Sequence, residues 1–208
     1  MPQVSLQDFI RQICTKGTLA SFPTDTVPAL AARPDQSDRI YAAKRRPPDK
    51  PLILMGAALS DLLPYVRGEA SEMRQWGQVA EHYWPGALTL VLPASDRVPK
   101  AMNPLQTGTL GIRVPNHPLA RYFLNQTGPL ATTSVNRSGQ PPLEDMADIE
   151  AQFPEVLTLS EGAIAAIKTD IGDFTLQASG IPSTVIRWQS NTWEVLRQGA
   201  VDVSTLAS

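Results

Sequence analysis

Four polar stretches, each set where an apolar run breaks off, carry the side chains able to do chemistry. Pro23-Thr24-Asp25-Thr26-Val27 places two hydroxyls and a carboxylate directly after the apolar run that ends at Phe22. Such a loop suits a small polar ligand, and it also suits a capped turn, since Thr and Asp bond nearby backbone amides. Lys44, Arg45, Arg46 and Lys50 form a dense basic cluster that can hold several phosphate oxygens through charge-assisted hydrogen bonds. The macrodipole alone favours cations at a helix C-terminus, but Pro47, Pro48 and Pro51 stiffen this segment and lower the entropy lost on gripping a ligand. In TLGIRVP, Thr109 and Arg113 share one face if the segment is a strand, and the arginine there either clamps a carboxylate or forms a rim salt bridge. Thr132-Thr133-Ser134-Val135-Asn136-Arg137-Ser138-Gly139 offers hydroxyls and an amide before a glycine, a pattern that serves phosphate or ribose and equally an ordinary turn.

Other chemistries lack their residues. The sequence has no GxxxxGK[ST] loop, no GxGxxG fingerprint and no GxSxG elbow, and His82 and His117 are without metal-ligand spacing, so no protein-held metal is expected. The single cysteine, Cys14, excludes a disulfide framework within one chain and fits a reducing compartment. A formal charge of -2 gives no global basic field toward nucleic acid or membrane, so any RNA contact must be local. The N-terminus is amphipathic and acidic rather than signal-like, and no run of about 18 apolar residues occurs. These features predict a soluble, cytoplasmic protein.

The elements that must position these residues alternate between helical and extended patterns over 208 residues, which predicts one α/β domain over residues 1–208. A helix is expected from Leu6 to about Thr15, capped by Ser5 and ended by Gly17, and a strand from Thr18 to Phe22. Another helix runs from Asp38 to about Arg45, with Ser37 as its cap and Pro47-Pro48 as its stop. Pro51–Met55, Ala87–Leu92, Thr109–Val114 and Leu130–Ser134 read as strands, Glu69–Tyr83 and His117–Gln126 as helices. A short helix near Asp145–Gln152 and a strand near Val156–Leu159 precede a hairpin, Ser183–Trp188 and Thr192–Arg197, turning at Ser190-Asn191. Several of the nineteen prolines follow strands directly and fix how loops leave the sheet, where α/β proteins place ligands.

In this order the pieces resemble the YrdC/Sua5/YciO family over nearly the whole chain. FPTDTVPAL stands for the family's PTETVYGL, Lys44-Arg45-Arg46-Pro47 with Pro51-Leu52 for KxRP…PL, Trp84 to Thr89 for WPGPLT, and Arg113 to Pro118 for RVPxHP. Ser134 to Gly139 stands for SANxSG, Ser183-Thr184-Val185 for STV, and Leu196-Arg197-Gln198-Gly199 for LRxG. The resemblance implies a twisted mixed sheet flanked by helices around a concave, partly basic ligand cavity. It also implies the conversion of L-threonine, bicarbonate and ATP to threonylcarbamoyl-AMP and pyrophosphate, with Mg2+ accompanying ATP. The product would feed the tRNA threonylcarbamoyl-transfer machinery that makes t6A. By position, Arg46, Lys50, Thr109, Ser134, Asn136 and Arg197 would surround ATP, with Lys44 and Arg46 offsetting phosphate charge as catalytic groups. Thr26, Arg113, Thr132 and Ser183 would surround threonine. The sequence resembles the family's short, YrdC-like form. It departs from the pattern at Pro28-Ala29 (for Tyr-Gly), Asp25 (for Glu), Val135 (for Ala) and Met55 (often His), mostly on the threonine side. A YciO-like paralogue with another acceptor, a ligand sensor, and a double-stranded RNA-binding module are the competing readings.

Overall fold

The computed structural model describes residues 3–143 and 145–206, so both ends of the expected domain lie just outside the described residues. In chain order its strands are β1 (Gln3–Val4), β2 (Ala20–Phe22), β3 (Ala29–Ala32), β4 (Ile53–Met55), β5 (Leu88–Pro93), β6 (Thr109–Arg113), β7 (Leu130–Ser134), β8 (Thr158–Leu159), β9 (Thr184–Gln189) and β10 (Thr192–Arg197). The helices are α1 (Leu6–Arg11), α2 (Asp38–Lys44), α3 (Leu59–Leu62), α4 (Ala70–Tyr83), α5 (Pro118–Thr127), α6 (Met146–Gln152) and α7 (Glu161–Ile171). Eight strands form one mixed sheet in the order β10-β9-β5-β6-β4-β7-β3-β2, while β1 and β8 make a small parallel pair. Within the large sheet β4 pairs with β6, and β5 with β9, in parallel; the other neighbours are antiparallel.

Side-chain alternation along the strands divides the sheet into two faces. Leu54, Leu90, Ile112, Ala131 and Ile186 point to one face and pack in a core with Ile40 of α2, Trp76 of α4 and Ile149 of α6. On the other face, Phe22, Ala29, Ala31 and Leu130 meet Phe9 of α1, Leu119 and Phe123 of α5 and Ile167 of α7. Phe123 there makes edge-on contacts with Phe22 at 4.3 Å and Phe9 at 5.6 Å between ring centres. This second layer covers the β2-β3-β7 end and reaches Met55 of β4. Toward β9 the same face carries Thr89, Val91, Thr109, Gly111, Arg113, Val185 and Arg187, which line a cavity instead of a core.

Local chemistry explains most element ends. Ser5 accepts the Asp8 amide at 3.2 Å and Ser160 the Ala163 amide at 3.2 Å, both N-caps. Helix α1 runs on through a π turn, Gln12–Lys16, that ends at Gly17 with φ 58°. Ser37, expected to cap α2, does not: its hydroxyl donates back to the Pro34 carbonyl at 2.9 Å because a 3-10 turn, Pro34–Gln36, already leads into the helix. Arg45 leaves α2 at φ 50°, with its amide bonded to Ala42 and the Arg46 amide to Tyr41, a left-handed stop that swings Arg46 toward the cavity. The hairpin turn forms at Ser190 and Asn191, both at positive φ (53° and 61°), as a two-residue turn matched to strand twist demands. Strands β1 and β3 and helices α3 and α7 join the expected elements. No described helix is long and apolar enough to cross a membrane.

Candidate active site

The cavity has a volume of about 560 Å³. Its floor is the open half of the sheet, and its rims come from the loops after β2 and β7 and from the chain around Arg46. Four arginines line it, Arg46, Arg113, Arg187 and Arg197, and no Asp or Glu is among the described lining residues. A concave wall with this charge excess draws anions.

At the α5 end, Arg113 is buried and fully engaged. Its Nε donates to the Gly86 carbonyl at 3.0 Å, one terminal nitrogen to Thr26 Oγ1 at 2.9 Å, and the other to Asp25 Oδ1 at 2.7 Å. Thr26 then passes its own proton toward Thr24 Oγ1 at 3.1 Å, and Thr24 donates to the Val27 carbonyl at 2.7 Å. A salt bridge to the half-buried Asp25, largely shielded from solvent and not on the rim, holds Arg113, and the side chain still faces the cavity. A strap after α7 closes over this turn, with the Ser179 amide on the Asp25 carbonyl at 3.2 Å and the Gly180 amide on the Thr26 carbonyl at 2.8 Å. His117 secures the strap. Its Nδ1 accepts the Ala120 amide at 3.4 Å, which leaves Nε2–H to donate to the Thr175 carbonyl at 3.1 Å. Burial pushes this imidazole below its ordinary pKa, so the neutral form is favoured.

Across the floor, Ser183 Oγ lies 2.9 Å from Thr89 Oγ1, and Arg197 holds the Ser183 carbonyl from Nε at 3.1 Å and a terminal nitrogen at 2.7 Å. Thr132 donates to the Ile53 carbonyl at 3.0 Å. Arg46 donates to the Lys50 and Pro51 carbonyls at 2.9 and 3.1 Å. Burial lowers the pKa of Arg46, Arg113 and Arg197 from the ordinary arginine value, yet guanidinium stays charged in proteins.

Of the residues expected from the sequence, Thr26, Arg46, Thr109, Arg113, Thr132, Ser134, Ser183 and Arg197 come together on this cavity. Lys44, Lys50 and Asn136 do not line it. Lys44 is 1% exposed, and its ammonium donates to the Ser134 carbonyl and to Asn136 Oδ1 behind the wall. Asn136 spends its amide on the Gln140 and Arg137 carbonyls and also accepts from Ser134 Oγ at 2.6 Å. Lys50 is exposed outside the wall. Burial, reinforced by the nearby Arg46 charge, pulls the Lys44 pKa down to about 7. Arg187 was absent from the expected set, although strand alternation from Val185 brings it to the same face.

The family model Sua5_yciO_yrdC, described as telomere recombination, matches residues 12–199. The chain belongs to this family. Among its relatives, the threonylcarbamoyl-AMP synthase of Chromohalobacter salexigens is 36% identical over 153 residues, covering 72% of this chain and 80% of that one. The Bacillus subtilis protein of the same name is 35% identical over 190 residues, 88% of this chain but 50% of that one. In structure, P. abyssi Sua5 complexed with L-threonine superposes with a TM-score of 0.72 at 28% identity over 91% of this chain and 54% of that one. E. coli YciO, at 24% identity and TM-score 0.75 over 99% of this chain and 96% of that one, shows the same fold. The chain thus spans about half the length of the B. subtilis and P. abyssi family members. Of the departures from the family pattern, Pro28, Ala29 and Met55 all line the cavity.

Proposed function

We propose that this family member is an L-threonylcarbamoyladenylate synthase, converting L-threonine, bicarbonate and ATP to threonylcarbamoyl-AMP and pyrophosphate. The observation that carries the reading is the cavity wall itself: four arginines, a row of hydroxyls from Thr89 to Ser183, and no acid among the described lining residues. All three substrates are anionic or carry a carboxylate, and such a wall suits them together.

The reaction asks for alignment and charge neutralisation more than for a protein nucleophile. Threonine's amine takes up CO2 from bicarbonate as a carbamate, and a carbamate oxygen attacks the α-phosphorus while pyrophosphate leaves with the bonding pair. Arg46 sits where it can offset phosphate charge, with Thr109, Ser134 and Arg197 along the nucleotide. Lys44 and Asn136 act one layer back, holding the Ser134 carbonyl and hydroxyl in place. Each terminal nitrogen of Arg113 keeps a second N–H for the threonine carboxylate while Thr26 and Asp25 hold the guanidinium in place, and Thr132 or Ser183 can pair the substrate hydroxyl, which would penalise analogues lacking it. Fixing these groups before the substrates meet reduces the entropy cost of bringing three reactants together. Among the described residues no group of three or more His, Cys, Asp or Glu is placed to hold a metal. Mg2+ therefore enters this reading as the counter-ion of ATP, carried on phosphate oxygens. A cytoplasmic setting and hand-over to a tRNA-modifying partner complete it.

The test is pyrophosphate release from ATP with bicarbonate, Mg2+ and each amino acid in turn, with Arg46→Ala as the control. Release that needs both threonine and bicarbonate and disappears in the control is the expected result. Release that prefers another amino acid would trace to Pro28, Ala29 and Met55 on the wall and replace threonine as acceptor. Absence of ATP binding would sink the reading.

A further inference from the structure

Arg187 differs from the other cavity arginines in how it is held. Arg46, Arg113 and Arg197 are fastened by backbone carbonyls, hydroxyls or a half-buried carboxylate. Among the described residues Arg187 has one acceptor, Glu194 Oε2, at 3.1 Å from Nε and 2.6 Å from a terminal nitrogen. That pair lies on the outer hairpin, with side chains 37% and 51% exposed, and Glu194 stands directly opposite Arg187 across β9 and β10. An exposed pair of this kind adds little stability and is screened by salt, so Arg187 can exchange its partner at small cost. Val91 faces it on β5, and Val185 and Leu196 share the cavity wall with it.

Position decides which part of a ligand it can meet. Ser134 is on β7 and Arg187 on β9, with β5, β6 and β4 between them. At about 4.8 Å per strand their backbones are roughly 19 Å apart. A single nucleotide can span that interval, but the two residues cannot grip the same group. The hydroxyl-rich end near Ser134 and Arg46 suits phosphates, and the valine-lined end suits a flat ring. We infer that Arg187 is a specificity residue for the nucleoside end of ATP, leaving Glu194 to stack on, and donate to acceptors of, the purine base. Guanidinium planes stack on aromatic faces and are donors only, so the base is read by its acceptor edge. In the free enzyme Glu194 competes with the nucleotide for this side chain.

The inference rests on the nucleotide reading of the cavity, and calorimetric titration of wild type, Arg187→Ala and Glu194→Gln separates the two. Arg187→Ala should weaken ATP binding about tenfold, and Glu194→Gln should tighten it roughly two- to fivefold, because the competitor is removed. Inorganic tripolyphosphate should bind all three proteins alike. In turnover, Arg187→Ala should raise KM for ATP and leave kcat and the threonine KM in place. Thermal melts of both variants should stay close to wild type, as an exposed pair predicts. Equal ATP affinity in all three, a change of the same sign in both variants, or an equal loss for tripolyphosphate would overturn the assignment of Arg187. Wild-type protein that binds no ATP would overturn the nucleotide reading as well.

Discussion

Replacing Asp25 by asparagine keeps the shape of the side chain and removes the one carboxylate bonded to Arg113 among the described residues. The two side chains are 16% and 5% exposed, so water screens the pair weakly. With charge centres about 4 Å apart and an effective dielectric near 20, their attraction is about 4 kcal/mol. Asparagine can still accept from Arg113, which returns about 1 kcal/mol. Gly86 and Thr26 continue to accept from the guanidinium but carry no charge to balance it. The net loss is then about 3 kcal/mol, at the lower end of what breaking a buried pair costs. For a chain of this size that corresponds to a fall of roughly 6–12 °C in Tm. Urea unfolding at pH 7 measures the loss directly, and it should persist at about 1 M salt because screening acts mainly on exposed charge. A change below about 1 kcal/mol, or one that vanishes in high salt, would refute the argument that Arg113 depends on Asp25.

Three further outcomes follow from other parts of the site. His117 has a depressed pKa, so below about pH 6.5 the unfolded chain takes up its proton first and stability falls as pH drops; Tm measured from pH 7.5 to 5 should lose part of that slope in His117→Gln. Lys44 titrates near pH 7 in the fold and near its ordinary, much higher value when unfolded, so its destabilising effect is full below pH 7 and is relieved as pH rises. Wild type should therefore gain about 2 kcal/mol relative to Lys44→Met between pH 7 and pH 9, read from urea midpoints. A Cβ on Gly199 would come within 2.2 Å of the Pro182 carbonyl oxygen and 2.5 Å of the Ser183 carbonyl carbon, so Gly199→Ala must displace backbone. It should cost about 1–3 kcal/mol by denaturation and raise KM, since Arg197 and Ser183 move with that backbone.

Much of the cavity floor was legible because strands write it with period two. TLGIRVP shows Thr109 and Arg113 on one side and Leu110 and Ile112 on the other, and LATTS forms β7 with the expected bounds. The stop of α2 was equally plain from Pro47-Pro48. Strand β3 was hidden because Ala29–Ala32 lacks β-branched or aromatic residues; it is a strand because β2 and β7 flank it. Helix α7 did leave a trace, with Ser160 before it and Ala163 and Ile167 at helical spacing. What local pattern could not reveal is pairing across distance. Asp25 meets Arg113 from 88 residues away, and Lys44 meets Asn136 from 92, so an apparent phosphate-binding lysine proved to be a strut behind the wall.

The division of β6 into alternate residues also sets which genetic changes this protein can absorb. Leu110 and Ile112 belong to the packed core, while Thr109, Gly111 and Arg113 belong to the cavity, and each strand of the floor shares this arrangement. A substitution at cavity positions such as Thr89, Val91 or Thr109 leaves the core untouched, so ligand preference can drift one residue at a time there with the fold as bystander. Loss or gain of a single residue within the strand would exchange the two sets, driving Arg113 into oil and leucine into the ligand's path. Lineages descended from this scaffold should accordingly differ by exchanges on the floor and by length changes confined to the loops.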